Sequence, residues 1–119
     1  SYRFHPPMRG DIIVLRRPEG RYDHPLIKRV VGLAGETIEI HDGVVYVDGE
    51  PLAEPYLDQP TTGYLKPLRI PEGHVFVLGD NRASSNDSRS FGVVALTDIL
   101  GKAWFRYWPA DAIGLLSHG

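Results

Sequence analysis

Leu26-Ile27-Lys28-Arg29-Val30-Val31-Gly32 sets one lysine inside a run that otherwise reads as a buried strand. Six positions between Pro25 and Leu33 are apolar: Pro25, Leu26, Ile27, Val30, Val31 and Leu33. Short, β-branched and bounded by breakers, the stretch fits a strand. A lysine held against such a surface loses hydration, which disfavours its ammonium form and leaves an amine able to accept a proton. An amphipathic strand whose lysine returns its charge to water along its stem fits the same pattern. The local sequence leaves both readings open.

Outward from this stretch the pattern stays β-rich. Asp11–Arg16 reads as a strand, after an irregular lead-in with Pro6, Pro7 and Gly10. Arg17–Pro25 reads as an exposed connection. Gly32–Glu36 breaks the lysine strand with a turn or bulge. Thr37–His41 alternates, with Ile38 and Ile40 on one face; Asp42-Gly43, Val44–Val47 and Asp48-Gly49 follow. Strand, Asp-Gly, strand, Asp-Gly is a hairpin signature, placed at about 36–48. Residues 50–72 carry Pro51, Pro55, Pro60, Pro67 and Pro71 and read as a long loop insertion with at most one short strand near Tyr64–Ile70. His74–Leu78 and Gly92–Leu96 read as strands, Thr97–Leu100 as a single capped turn, and Lys102–Trp108 as an aromatic strand closed by Pro109. No segment shows a helical stripe of useful length. These elements predict an all-β fold of coiled antiparallel sheets, partly barrel-like, as one unit over residues 1–119.

Bulk properties narrow the function classes. With 119 residues the chain supports one main core, and a formal net charge of −2 implies no nucleic-acid partner. Cysteine is absent, which removes disulfides, thiol catalysis and thiolate metal sites. His5, His24, His41, His74 and His118 stand singly, so neither a metal nor another cofactor is expected. No apolar run approaches the roughly 18 residues of a spanning helix. No glycine-rich phosphate loop and no glycosidase-type acid pair are present.

A second unusual stretch, Gly79-Asp80-Asn81-Arg82-Ala83-Ser84-Ser85-Asn86-Asp87-Ser88-Arg89, concentrates acids, bases, amides and hydroxyls after a buried-looking strand. It fits a solvated loop whose Asx and Ser side chains bond their own backbone. It also fits a rigid loop in which Asp80, Asp87, Arg82 and Arg89 form charge-assisted bonds and orient a reactive group. Taken together, the two stretches offer a serine–lysine arrangement, since a hydroxyl needs an adjacent base to become a useful nucleophile.

Four stretches resemble the catalytic domain of type I signal peptidase (leader peptidase), the membrane-bound serine–lysine protease that removes signal peptides. They are Arg9–Val14, Ile27–Glu36, Leu78–Arg82 with Ser85, Asp87, Ser88, Arg89 and Gly92, and the aromatic tail Gly101–Pro109. The resemblance runs across nearly the whole chain. It implies a fold of the signal-peptidase/LexA-like type, with Lys28 as general base and Ser85 as the hydroxyl that orients its amine. It further implies supporting ion pairs, Asp80 near Arg29 and Asp87 with Arg89. Residues 26–30 would be the edge strand that pairs with an extended substrate, with Leu26, Ile27, Arg29 and Val30 as substrate-strand or pocket residues. Signal peptides of preproteins would be the substrate, without a cofactor or nucleic acid.

One departure is large. The family's nucleophilic serine lies in a Ser-Met-Pro-like segment after a membrane anchor. Here Met8 follows Pro7, and Ser1 lacks the flanking pattern. The resemblance therefore implies a nucleophile and an anchor upstream of Ser1, or a second chain supplying the serine, with the domain on the extracytoplasmic face of a membrane and this segment itself soluble. Ser84, Ser85, Ser88 and Ser90 are not candidates for the nucleophile. Two other readings follow from the same residues: a self-cleaving repressor-type protease, and a non-catalytic peptide-binding or assembly module.

Overall fold

Asp42 and Gly43 both take left-handed φ angles, 54° and 81°, and so do Asp48 and Gly49, at 51° and 84°. Two consecutive primed turns of this kind match the right-handed twist of paired strands. They fold Thr37–His41 (β3), Val44–Val47 (β4) and Glu50–Pro51 (β5) into a meander, with Ile38 opposite Val47 and Tyr46 opposite Pro51. We describe residues 6–16 and 25–102 of a computed structural model. The remaining strands are Ile12–Leu15 (β1), Leu26–Gly32 (β2), Leu65–Arg69 (β6), His74–Leu78 (β7), Val94–Ala95 (β8) and Ile99–Lys102 (β9). One short helix, Ser88–Phe91 (α1), and a 3-10 turn at Leu96–Asp98 complete the elements.

The strands form two antiparallel sheets among the described residues. The five-stranded sheet runs β8-β7-β2-β1-β9 and the four-stranded sheet β5-β4-β3-β6, and neither closes into a barrel. Side chains alternate across a strand, and that alternation sorts the core. Val30, Val75 and Val77 join Ile13, Leu15, Leu26 and Val94 on one face of the five-stranded sheet. Their chain neighbours Val31, Phe76 and Leu78 point the other way and pack with Ile38, Ile40, Val45 and Ile70, so this second cluster joins the two sheets. Gly32, at the end of β2, lies in that junction: a Cβ there would come within 2.6 Å of Ile70 Cδ1 and 2.7 Å of Ile38 Cδ1.

The structure differs from the sequence expectations in five places, the first being Thr97–Leu100, expected as a capped turn: the 3-10 turn at Leu96–Asp98 has no side-chain cap, and Ile99 and Leu100 begin β9. Residues 50–72 hold two short strands, β5 and β6, because the second Asp-Gly turn returns the chain onto β4. The expected strand over Gly92–Leu96 is only Val94–Ala95. A one-turn helix at Ser88–Phe91 was invisible to periodicity because four residues are too few to show a stripe. Finally, β2 is not an edge strand. It lies between β1 and β7, because β7 returns to pair with it from Arg29 onward and leaves only its start open on that side. The expected strand over Lys102–Trp108 lies, beyond Lys102, outside the described residues.

A charge pair pins the turn after β2. Arg9 makes two bonds to Glu36, 2.7 Å and 2.8 Å, and Glu36 also accepts from Leu33 N–H at 2.8 Å. The Arg9 bond, aided by the Leu33 amide and opposed by burial, holds the Glu36 carboxyl below its ordinary range. A depressed carboxylate stabilises the fold above its unfolded pKa, and that contribution fades as pH falls toward the folded value. Both side chains are partly exposed, so solvent screening limits the effect to about 1 kcal/mol. Glu36→Gln should therefore lower unfolding free energy at pH 7, and the difference from the parent should shrink only as pH falls below the ordinary carboxylate value of 4.5. Urea unfolding at two pH values measures it.

Candidate functional site

Lys28 sits on β2 opposite Ile13 of β1, between the buried side chains of Leu26 and Val30. Its half-buried side chain reaches the start of the loop after β7. A Cβ built on Gly79 would stand 3.1 Å from Lys28 Nζ and 3.7 Å from its Cδ, with Asp87 Oδ2 3.9 Å away. The amine therefore occupies the space that any larger residue at position 79 would fill. Gly79 itself is held from both sides. Its N–H donates to Asp87 Oδ2 at 3.0 Å, and its carbonyl accepts from Arg82 Nε at 2.7 Å.

The loop that presents Gly79 is rigid because its charges are paired and buried. Asp87 is fully buried and caps α1 by accepting from Arg89 N–H at 3.0 Å. The Arg89 guanidinium adds two bonds to the same carboxylate, 2.9 Å and 2.7 Å, and donates to the carbonyls of Thr62, Arg82 and Ser84. Ser88 Oγ accepts from Val77 N–H, tying the helix back to β7. Arg29 grips Asp80 with two bonds, 2.9 Å and 2.7 Å, and donates to the Gly10 carbonyl at 3.1 Å. Burial works against the Arg29 charge, but the Asp80 bond and charge outweigh it and leave its pKa above the ordinary value. Bidentate pairs of this kind fix geometry as well as charge.

Sequence reasoning did not find the second half of this bracing. Arg82 is fully buried, and its partner is Glu54 in the proline-rich loop, at 2.8 Å and 2.7 Å, with Thr61 Oγ1 at 3.0 Å. Tyr56, two residues on, donates its hydroxyl to Glu54 at 3.0 Å and lays its ring 4.1 Å beneath the Arg29 guanidinium. Burial, then the Glu54 charge, push the Tyr56 phenol well above its usual pKa, so it remains a donor. One signal was available. Asp80 and Asp87 were assigned to Arg29 and Arg89, which left Arg82 needing a carboxylate from elsewhere.

Apart from the Asp87–Arg89 pair described above, the expected site residues fall into three groups. Ile27, Lys28, Arg29 and Asp80, with Ile12, line a cavity of about 50 Å3. Leu26 and Val30 are packed into the core and line no part of that cavity; alternation puts Ile27 and Arg29 on the other face of β2, and Lys28, which shares the face of Leu26 and Val30, reaches the cavity as a long, half-buried side chain. Ser85 is exposed in the turn before α1, where its carbonyl accepts from Asp87 N–H at 2.8 Å and from the Ser90 hydroxyl. The backbone of β2 adds one further feature. Val30 N–H donates to the Asp11 carbonyl, so the ladder turns the amide groups of Leu26 and Lys28 toward β1 and those of Ile27 and Arg29 away from it. On that far side β7 begins its pairing at Arg29↔Leu78, and Ile27 has no partner strand among the described residues.

Two antiparallel sheets carry a strand lysine against a braced polar loop, and known proteins share this fold. Residues 1–108 match the family described as "Signal peptidase, peptidase S26", and the chain belongs to that family. It is 48% identical over 122 residues to the "Probable signal peptidase I-1" of Synechocystis sp., covering 98% of this chain and 62% of that protein. It is 36% identical over 124 residues to the "Probable thylakoidal processing peptidase 2, chloroplastic" of Arabidopsis thaliana, covering 99% of this chain and 34% of that one. The chain thus spans about three-fifths or less of the length of these relatives. The crystal structure of a signal peptidase I from Enterococcus faecalis V583 shares the fold, with a TM-score of 0.73 and 34% sequence identity over 85% of this chain and 99% of that one. Among the described residues no helix is long and apolar enough to cross a membrane, and no cluster of three or more His, Asp or Glu side chains could hold a metal ion.

Proposed function

We propose that this chain carries the general base of a signal-peptidase-type serine endopeptidase that cuts signal peptides from preproteins. The observation that carries this reading is the Lys28 amine seated on Gly79, between a buried strand and a loop that four charged side chains lock in place. The reading requires a nucleophilic serine from outside the described residues, on the same polypeptide or a second chain, and a membrane anchor that keeps the domain on the extracytoplasmic side. Serine Oγ attacks the scissile carbonyl while Lys28 Nζ takes its proton. The amine passes that proton to the leaving nitrogen as the peptide bond breaks, then draws one from water as water attacks the acyl-enzyme, and returns it to serine Oγ as the ester bond breaks. Ser85 is the hydroxyl assigned to aim the amine. Hydrogen-bond donors beside the nucleophile stabilise the oxyanion.

Extended substrate fits the backbone of β2. The amide groups of Ile27 face the side where β7 has ended, so a peptide strand there gains ladder bonds, and alternate side chains enter the wall lined by Ile27 and Arg29.

The test is cleavage of a preprotein by the natural polypeptide that contains this chain, in phospholipid vesicles. A single cut at the end of the signal peptide is expected. The same assay reads the seat of the amine. Gly79→Ala should fold normally, because the one obstructing atom is the far end of a flexible side chain, but it should cut about ten- to a hundredfold more slowly, because a displaced base loses its alignment. Failure to process the preprotein, or full activity with Gly79→Ala, would contradict the reading.

A further inference from the structure

The loop over residues 52–61 lies between β5 and β6, away from the motifs that carry the chemistry, yet its Tyr56 reaches the site. Its ring face meets Arg29 at 4.1 Å, and Arg29 with Asp80 forms the polar wall of the cavity that Ile12, Ile27 and Lys28 complete. The Tyr56 hydroxyl ends on Glu54, whose carboxylate is already gripped by the buried Arg82. Arg82 in turn holds the Gly79 carbonyl. The loop therefore reaches both walls around Lys28: Arg29 through an aromatic face, and Gly79 through the Glu54–Arg82 pair.

We propose that Tyr56 is a positioning residue that sets the shape of the substrate cavity, by bracing the Arg29–Asp80 pair from behind. The inference rests on the function proposed above. The Asp80 and Gly10 bonds hold the guanidinium by its edges, in its own plane; the Tyr56 ring stacked on its face supports it in the direction those bonds constrain least. The cavity is small, about 50 Å3, so a modest shift of Arg29 changes which side chains enter. The consequence is selectivity for small substrate side chains, carried by a residue that does not line the cavity.

The experiment compares Tyr56→Met, Tyr56→Leu and Tyr56→Phe in the natural polypeptide. Preprotein substrates carry Ala, Val or Leu at the first or third residue before the cut. Met keeps apolar bulk and loses the π face; Phe keeps the face and loses only the hydroxyl. The small cavity predicts that the parent prefers Ala over Val, and that preference, as a ratio of kcat/KM, should fall at least about fivefold at one of the two positions in Tyr56→Met and Tyr56→Leu, whereas Tyr56→Phe should retain it. Whichever of the Met and Leu variants accumulates as folded protein suffices. A merely structural role would lower the rate on all substrates alike, so an unchanged ratio overturns the inference, as does an equal loss in Tyr56→Phe. Cleavage with unchanged preference would sink this inference alone, whereas absence of cleavage by the parent would sink the proposed function and this inference with it.

Discussion

Glu54→Ala should destabilise the fold by about 3–5 kcal/mol, a core-sized effect from a residue in a proline-rich loop. The Arg82 guanidinium is fully buried, and Glu54 supplies both of its carboxylate bonds, at 2.8 Å and 2.7 Å. Removing the acid leaves a buried cation with only the Gly79 carbonyl and Thr61 Oγ1 to solvate it. Bringing that charge out of water is costly, and an uncompensated buried ion keeps the cost without the attraction. The converse change is informative: Glu54→Leu combined with Arg82→Met replaces the pair by apolar bulk and should recover most of the loss. Urea unfolding followed by circular dichroism reads both. A loss below about 1 kcal/mol for Glu54→Ala would mean that the pair is solvated as a surface pair is.

This pair also marks the limit of what the sequence could reveal. The hairpin was legible because two Asp-Gly dipeptides demand left-handed backbone, and alternating Ile38 and Ile40 demand a buried face. Such rules act over two to four residues. Lys28, Arg29, Asp80, Asp87 and Arg89 stood out because their motifs mix charge with buried strand. The Arg82–Glu54 pair joins residues 28 positions apart, and the Tyr56–Arg29 stack joins a loop to a strand in the other sheet. Only the folded chain brings these together. The interior place of β2 was missed for a related reason. An apolar run predicts burial, but which strands flank it depends on long-range order, and its open backbone is confined to the Ile27 side beyond β7.

The chain belongs to the signal peptidase family, and no observation favours the repressor-type or non-catalytic readings. Within the described residues, the group that the proposed enzyme needs and a peptide-binding sheet does not is the amine against Gly79. A binding module would tolerate its loss, because Ile27 backbone and the Arg29–Asp80 wall would still accept a peptide.

Lys28→Met therefore bears most directly on the account. Methionine matches the length and apolar stem of the lysine but cannot accept a proton. Cleavage of a preprotein by the natural polypeptide should fall at least about a thousandfold, while unfolding free energy stays equal or rises, because a half-buried amine is replaced by a thioether that needs no hydration. Retained cleavage, or a large loss of stability with Lys28→Met, would contradict it.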